Sequence, residues 1–158
     1  PLGDGNEAEI AELSDGRLYM ATRHVAPIGR PPPPGGRLYA LSGDGGDSWS
    51  GVGFDTALPT PVCQASVIGA GQRLLFSNPA HRRARVAMTV RTSDDDGASW
   101  RRALQVYPGP AGYSQLGVLE DGGAVLLYER GRLSYSERIS FARLPRLEDA
   151  GDIAGAQQ

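Results

Sequence analysis

The chain has 158 residues with 16 basic and 18 acidic side chains, a formal net charge of −2, so no basic surplus exists to hold a nucleic-acid backbone. No apolar run reaches the roughly 18–20 residues of a membrane span, and one cysteine, Cys63, excludes an internal disulfide framework or a multi-cysteine zinc site. With 22 Gly and 12 Pro, the longest stretch free of both is 80–96, which excludes an all-helical bundle; every basic residue is arginine.

The segment up to Leu13 and the one from Arg17 to Arg23 flank Asp15-Gly16, the signal of a tight hairpin between alternating apolar segments. Pro27–Gly36 holds five prolines and three glycines and is expected as a surface loop of polyproline-like form. Arg37–Ser42 is a predicted strand leading into the octet Ser42-Gly43-Asp44-Gly45-Gly46-Asp47-Ser48-Trp49. The stretch Val67–Leu75 turns at Gly71, and Val86–Arg91 leads into a second octet, Ser93-Asp94-Asp95-Asp96-Gly97-Ala98-Ser99-Trp100. Val118–Leu126 turns again at Asp121-Gly122. A strand over Ser134–Phe141 follows with no octet after it, and the chain closes on a polar tail.

The two octets share the pattern S-x-D-x-G-x-x-W and lie 51 residues apart, while Gly16, Gly71 and Gly122 step by 55 and 51. Self-similarity at this period marks a repeat architecture. Each unit reads as strand, hairpin, strand, loop, strand, octet turn, strand, which describes one four-stranded propeller blade. The expected fold is an all-β propeller, with blades near 5–55, 60–108 and 111–145 and a tail over 146–158. Three blades cannot close a ring, so further N-terminal blades are expected in a longer protein, and the three-blade piece should present an open strand edge.

Within the octets, Asp accepts backbone N–H bonds, Gly takes the positive-φ position and Trp plugs the turn onto the blade. The twelve-residue calcium-loop pattern with its terminal bidentate acid is absent. His24 and His81 have no third ligand nearby, so neither a metal nor a cofactor is expected. Arg82 and Arg83 read as solvated loop charge, and Cys63 as a small strand residue. In an antiparallel blade the start of strand 1, the end of strand 2 and the start of strand 3 share one edge, opposite the octets. Glu7, Arg23, Gln64, Arg85, Tyr113 and Glu129 all fall on that edge.

These residues resemble the sialidase family. The octets are similar to its Asp-box. Asn6-Glu7 through Asp15-Gly16-Arg17 to Arg23 resembles the segment carrying the family's active-site glutamate and the second arginine of its triad. Cys63-Gln64-Ala65-Ser66-Val67-Ile68 is similar to a C-Q-x-S-V-I stretch, and Arg85 takes the place of the third triad arginine. Gly112-Tyr113-Ser114-Gln115-Leu116, with Leu127-Tyr128-Glu129 after it, resembles the catalytic tyrosine segment and its later Y-E pair. The first triad arginine and the acid/base aspartate of the family lie in N-terminal blades and have no counterpart here.

The resemblance implies a six-bladed exo-α-sialidase acting on sialylated glycans, secreted or extracellular as the family often is. Tyr113 would be the nucleophile and Glu7 its base. Arg23 and Arg85 would clamp the substrate carboxylate through planar, permanently charged forks, with Gln64 beside them, and Glu129 would hold an arginine in place. Sialidases are a known exception to the two-carboxylate rule of glycosidases: a neutral phenol approaches an anomeric centre that bears a carboxylate without charge repulsion. A phenol of pKa about 10 needs an adjacent base to attack. Strand alternation puts Glu7 and Glu9 on the same face, and only the Asn-Glu pairing of the family selects Glu7. The missing blades imply that this segment alone is inactive. A noncatalytic propeller that binds carbohydrate or protein, and a glycosidase for another acidic sugar, are the alternatives.

Overall fold

The computed structural model describes residues 5–25 and 35–145. The Pro-rich loop, apart from Gly35 and Gly36, and the 146–158 tail lie outside the described residues. Ten strands follow in chain order: β1 (Gly5–Glu12), β2 (Leu18–His24), β3 (Arg37–Ser42), β4 (Ser50–Asp55), β5 (Ser66–Ala70), β6 (Arg73–Pro79), β7 (Val86–Ser93), β8 (Arg101–Val118), β9 (Ala124–Arg130) and β10 (Arg138–Arg143). β1 to β4 form one antiparallel sheet in sequence order, and β5 to β10 are hydrogen-bonded in a second series. The fold is all-β and propeller-like.

The second unit passes into the third near residues 108–111 within one continuous strand, β8. Its first part pairs with β7 and its second part, from Ala111, with β9, so one strand serves as the outer edge of one unit and the inner edge of the next. Pro108 and Pro110 are tolerated because the ladder shifts register there, between Val86 and Met88 of β7. The last strand starts later than the sequence predicts, at Arg138 rather than Ser134. The Glu137 carboxylate gathers the amides of Arg132, Leu133 and Ser134 at 3.0, 2.7 and 2.8 Å, folding residues 131–137 into a turn instead of a strand.

Hydrophobic alternation builds two seams. Leu74 and Phe76 of β6 join Tyr19, Ala21, Leu58 and Val67 between the first and second units. Leu75, on the opposite face of the same strand, joins Met88, Val90, Leu116 and Leu126 between the second and third. The middle unit is thus buried on both faces, which explains why β6 is apolar in consecutive positions rather than in alternate ones. On the far side of the third unit Leu127, Ile139 and Phe141 remain exposed.

The two octets share their serine, aspartate and glycine hydrogen bonds and differ at the tryptophan, where the Trp49 indole N–H donates to the Gly46 carbonyl at 3.1 Å and that of Trp100 has no partner among the described residues. The Ser42 hydroxyl donates to Asp44 at 2.8 Å and accepts the Gly46 amide at 2.9 Å, and the Ser48 amide donates to Asp44 at 2.9 Å. Ser93, Gly97, Ser99 and Asp95 repeat these three contacts at 2.8 Å each. Positive φ falls on Gly45 and Gly46 in the first turn, and on Asp96 and Gly97 in the second. Asp96 also accepts the amide and hydroxyl of Ser14, tying this turn to the hairpin of the previous unit.

Donors from the Ser48 hydroxyl and amide and from Ser42 hold the Asp44 carboxyl down at about 2, below its ordinary 3.8. A depressed carboxyl contributes stability above its unfolded pKa, and that contribution is lost as pH falls through the folded value. Asp44→Asn in the full-length protein should therefore destabilise at neutral pH, with a penalty that shrinks between pH 3.8 and about 2. Denaturant melts of both proteins across that range check it; a penalty independent of pH would assign the effect to turn geometry alone.

Candidate functional site

Register separates the site from the octets. In the first unit Thr22 pairs with Leu38 at one end of the strands, while Leu18 pairs with Ser42, the first octet residue, at the other. In the second, Pro79 pairs with Met88 beside Arg85, and Leu74 with Ser93 at the octet end. In the third, Ala111 pairs with Arg130 at the end that carries Tyr113 and Glu129. The six residues singled out in the sequence therefore sit at the strand ends opposite both octets.

Three of them meet directly. The Tyr113 hydroxyl donates a short hydrogen bond to Glu7 Oε1. The Arg23 guanidinium donates to Glu7 Oε2 at 2.7 Å and to the Tyr113 hydroxyl at 3.3 Å. Glu7 and Tyr113 are 106 residues apart, the same separation as Gly16 and Gly122, so they occupy one position in two copies of the repeat. Each also lies where its strand shifts register, between Gly5 and Ala8 in β1 and between Ala111 and Ser114 in β8. A bulge re-aims a side chain out of simple alternation.

That bulge separates Glu7 from Glu9. While Glu7 reaches Tyr113, Glu9 accepts the Val67 amide at 2.8 Å and joins the first unit to the second. Strict alternation would have left the two carboxylates equivalent.

Arg85 lies against the same tyrosine. Its guanidinium carbon is 5.5 Å from the Tyr113 ring centre and 4.6 Å from that of Tyr135, and one of its nitrogens donates to the Val62 carbonyl at 3.0 Å. It forms no ion pair among the described residues. The Nε of Arg23 is buried and has no hydrogen-bond partner among the described residues.

Gln64 is engaged at both ends of its amide. Its nitrogen donates to the Ser114 carbonyl at 2.9 Å, and its oxygen accepts the Ser114 amide at 3.0 Å, so the side chain pairs with the strand like a segment of backbone. In this arrangement it supports the residue next to Tyr113 instead of opening toward a ligand. Glu129 accepts the Tyr113 amide at 2.9 Å and makes no ion pair with an arginine among the described residues. A Cβ on Gly112 would stand 2.3 Å from this carboxylate, so only glycine allows Glu129 to reach the strand here.

The electrostatics follow from these contacts. Burial raises the Glu7 carboxyl, but hydrogen bonds from Tyr113 and Arg23 and the charges of Arg23 and Arg85 outweigh it, so its pKa lies below the ordinary 4.5. The hydrogen bond to Glu7, then burial and the carboxylate charge, push the Tyr113 phenol above 10. At rest the pair is a carboxylate beside a protonated phenol. This arrangement can accept the phenolic proton as the oxygen attacks, without forming free phenolate first.

Sequence reasoning missed two residues of this region. Arg37 is fully buried and donates to the Cys63 carbonyl at 2.8 Å, and burial pushes its pKa down to about 10. Nothing local distinguishes it from a solvated arginine at a strand start. Tyr135 reads as part of a strand by pattern and instead stands on the turn before β10, against Arg85.

Residues 3–139 match the BNR repeat-like domain family. Among curated proteins, the sialidase of Micromonospora viridifaciens is 39% identical over 136 residues, covering 80% of this chain and 20% of its own length. Human sialidase-4 is 42% identical over 125 residues, 74% of this chain and 24% of its own. The chain thus spans about a fifth to a quarter of these relatives. Among solved structures, the Hadza microbial sialidase Hz136 superposes with a TM-score of 0.72 at 31% identity, over 89% of this chain and 27% of its own. The intramolecular trans-sialidase of Ruminococcus gnavus, solved with oseltamivir carboxylate, gives a TM-score of 0.76 at 26% identity, over 96% and 35%.

Proposed function

The chain belongs to the sialidase family of BNR-repeat domains, and on that premise we propose that the full-length protein is a retaining exo-α-sialidase that removes terminal sialic acid from glycoconjugates. The observation that carries this reading is the Tyr113–Glu7–Arg23 triad of contacts, with Arg85 against the same tyrosine.

In this mechanism the substrate carboxylate docks on the guanidinium groups of Arg85 and Arg23. Both charges are permanent, and a guanidinium matches a carboxylate with paired N–H bonds. The Tyr113 oxygen then attacks the anomeric carbon while its proton passes to Glu7. The glycosidic bond breaks as the leaving oxygen takes a proton from the family's acid/base aspartate, which has no counterpart in this chain. Water, giving up a proton to the now ionised acid/base aspartate of the family, next attacks the anomeric carbon of the sialyl–tyrosine ketoside, the phenolic oxygen leaves, and Glu7 returns its proton to it. Two displacements restore the starting configuration. Glu129 and Gln64 act from behind, fixing the backbone on both sides of the nucleophile.

The test is turnover of a 2-linked aryl α-sialoside by the full-length protein, followed by proton NMR of the first product. Release of the α-anomer supports the proposal. Release of the β-anomer overturns the tyrosine mechanism, and binding without turnover would favour a noncatalytic lectin-like propeller.

A further inference from the structure

The turn between β9 and β10, residues 131–137, does more than connect strands. Glu137 collects three of its amides, the Tyr107 hydroxyl donates to the Gly131 carbonyl at 2.7 Å, and the Gly131 amide donates to the Pro110 carbonyl at 3.1 Å. A Cβ on Gly131 would meet the Ser134 carbonyl oxygen at 2.0 Å, so the turn closes too tightly for any side chain there. This rigid piece holds Tyr135 out over the site. The ring packs beside Gly112, where an added Cβ would sit 3.0 Å from it, and its centre is 4.6 Å from the Arg85 guanidinium carbon. The Tyr135 hydroxyl makes no hydrogen bond among the described residues, so the ring face is the part in use.

Arg85 therefore differs from Arg23. Arg23 is oriented by a carboxylate, whereas Arg85 is oriented by two aromatic rings and one carbonyl, with no anion paired to it among the described residues. A ring face attracts and aligns a planar cation without neutralising it. The fork stays in place and its charge stays available.

We infer that Tyr135 is a positioning residue that holds Arg85 for the substrate carboxylate through its ring face, on a turn locked by Glu137. The inference rests on the sialidase reading above. Because Arg85 would hold the carboxylate both before and during reaction, losing its alignment should weaken binding more than it slows chemistry.

The experiment uses the full-length protein and steady-state kinetics on a 2-linked aryl sialoside, with thermal melts of each variant. Tyr135→Phe keeps the face and should behave as wild type. Tyr135→Leu keeps apolar bulk without the face, and Tyr135→Ala removes both; each should raise KM on the order of tenfold with kcat within about threefold. In an Arg85→Lys background, Tyr135→Ala should add little further, since the two residues act as one unit. A wild-type KM for Tyr135→Leu overturns the inference, as does a full additional rise of KM in the Arg85→Lys background, which would mean that Tyr135 touches the substrate itself. If the wild-type protein turns over no sialoside, the sialidase reading fails first and this inference falls with it.

Discussion

Tyr113→Phe in the full-length protein is expected to lower kcat by a factor of about 10² or more, on the order of 3 kcal/mol of barrier, while folding is nearly unaffected. The substitution keeps the ring, and with it the contact with Arg85 at 5.5 Å, and removes only the oxygen that bonds Glu7 and Arg23. Both partners still have each other, at 2.7 Å, so no buried charge is left alone. Kinetics on an aryl sialoside together with thermal melts separate the two quantities. A variant that retains near wild-type kcat would make the tyrosine structural and end the mechanism assigned to it.

Glu7→Gln should cause a loss of similar size by a different route. The amide has the shape of the carboxylate and its oxygen still accepts the phenolic hydrogen bond, but it cannot take the proton as the oxygen attacks, a function worth roughly 10²–10⁴ in rate. The Arg23 guanidinium also loses its counter-charge. Because the base must be ionised, wild-type activity should fall as pH drops through the Glu7 pKa, which lies below 4.5. That acid limb of kcat/KM should disappear from the residual activity of the variant. Near-normal turnover by Glu7→Gln would transfer the base role to another group, though not readily to Glu9, whose carboxylate is committed to the Val67 amide.

Much of the fold was legible in the chain itself. The 51-residue spacing of the octets, the Asp-Gly hairpins and the alternating segments determined three repeated β units, because turn chemistry and side-chain period are local properties. The amide bonds accepted by the octet aspartates and the positive φ of the octet glycines were likewise implied by the Asp and Gly positions. Topology alone then placed Glu7, Arg23, Gln64, Arg85, Tyr113 and Glu129 at one end of the strands.

What those side chains touch was decided only in the tertiary structure. Alternation assigns a face, but it holds only while the register holds. The shifts at Glu7 and Tyr113 depend on how many residues the neighbouring strand offers opposite them, which the segment itself does not encode. So the bond across 106 residues, the separation of Glu7 from Glu9 and the closed amide of Gln64 emerged when the units packed. The turn that carries Tyr135 reads as a strand by pattern. It becomes a turn because one carboxylate, Glu137, can satisfy three backbone amides at once, and that competition between side chain and sheet is settled by geometry in three dimensions.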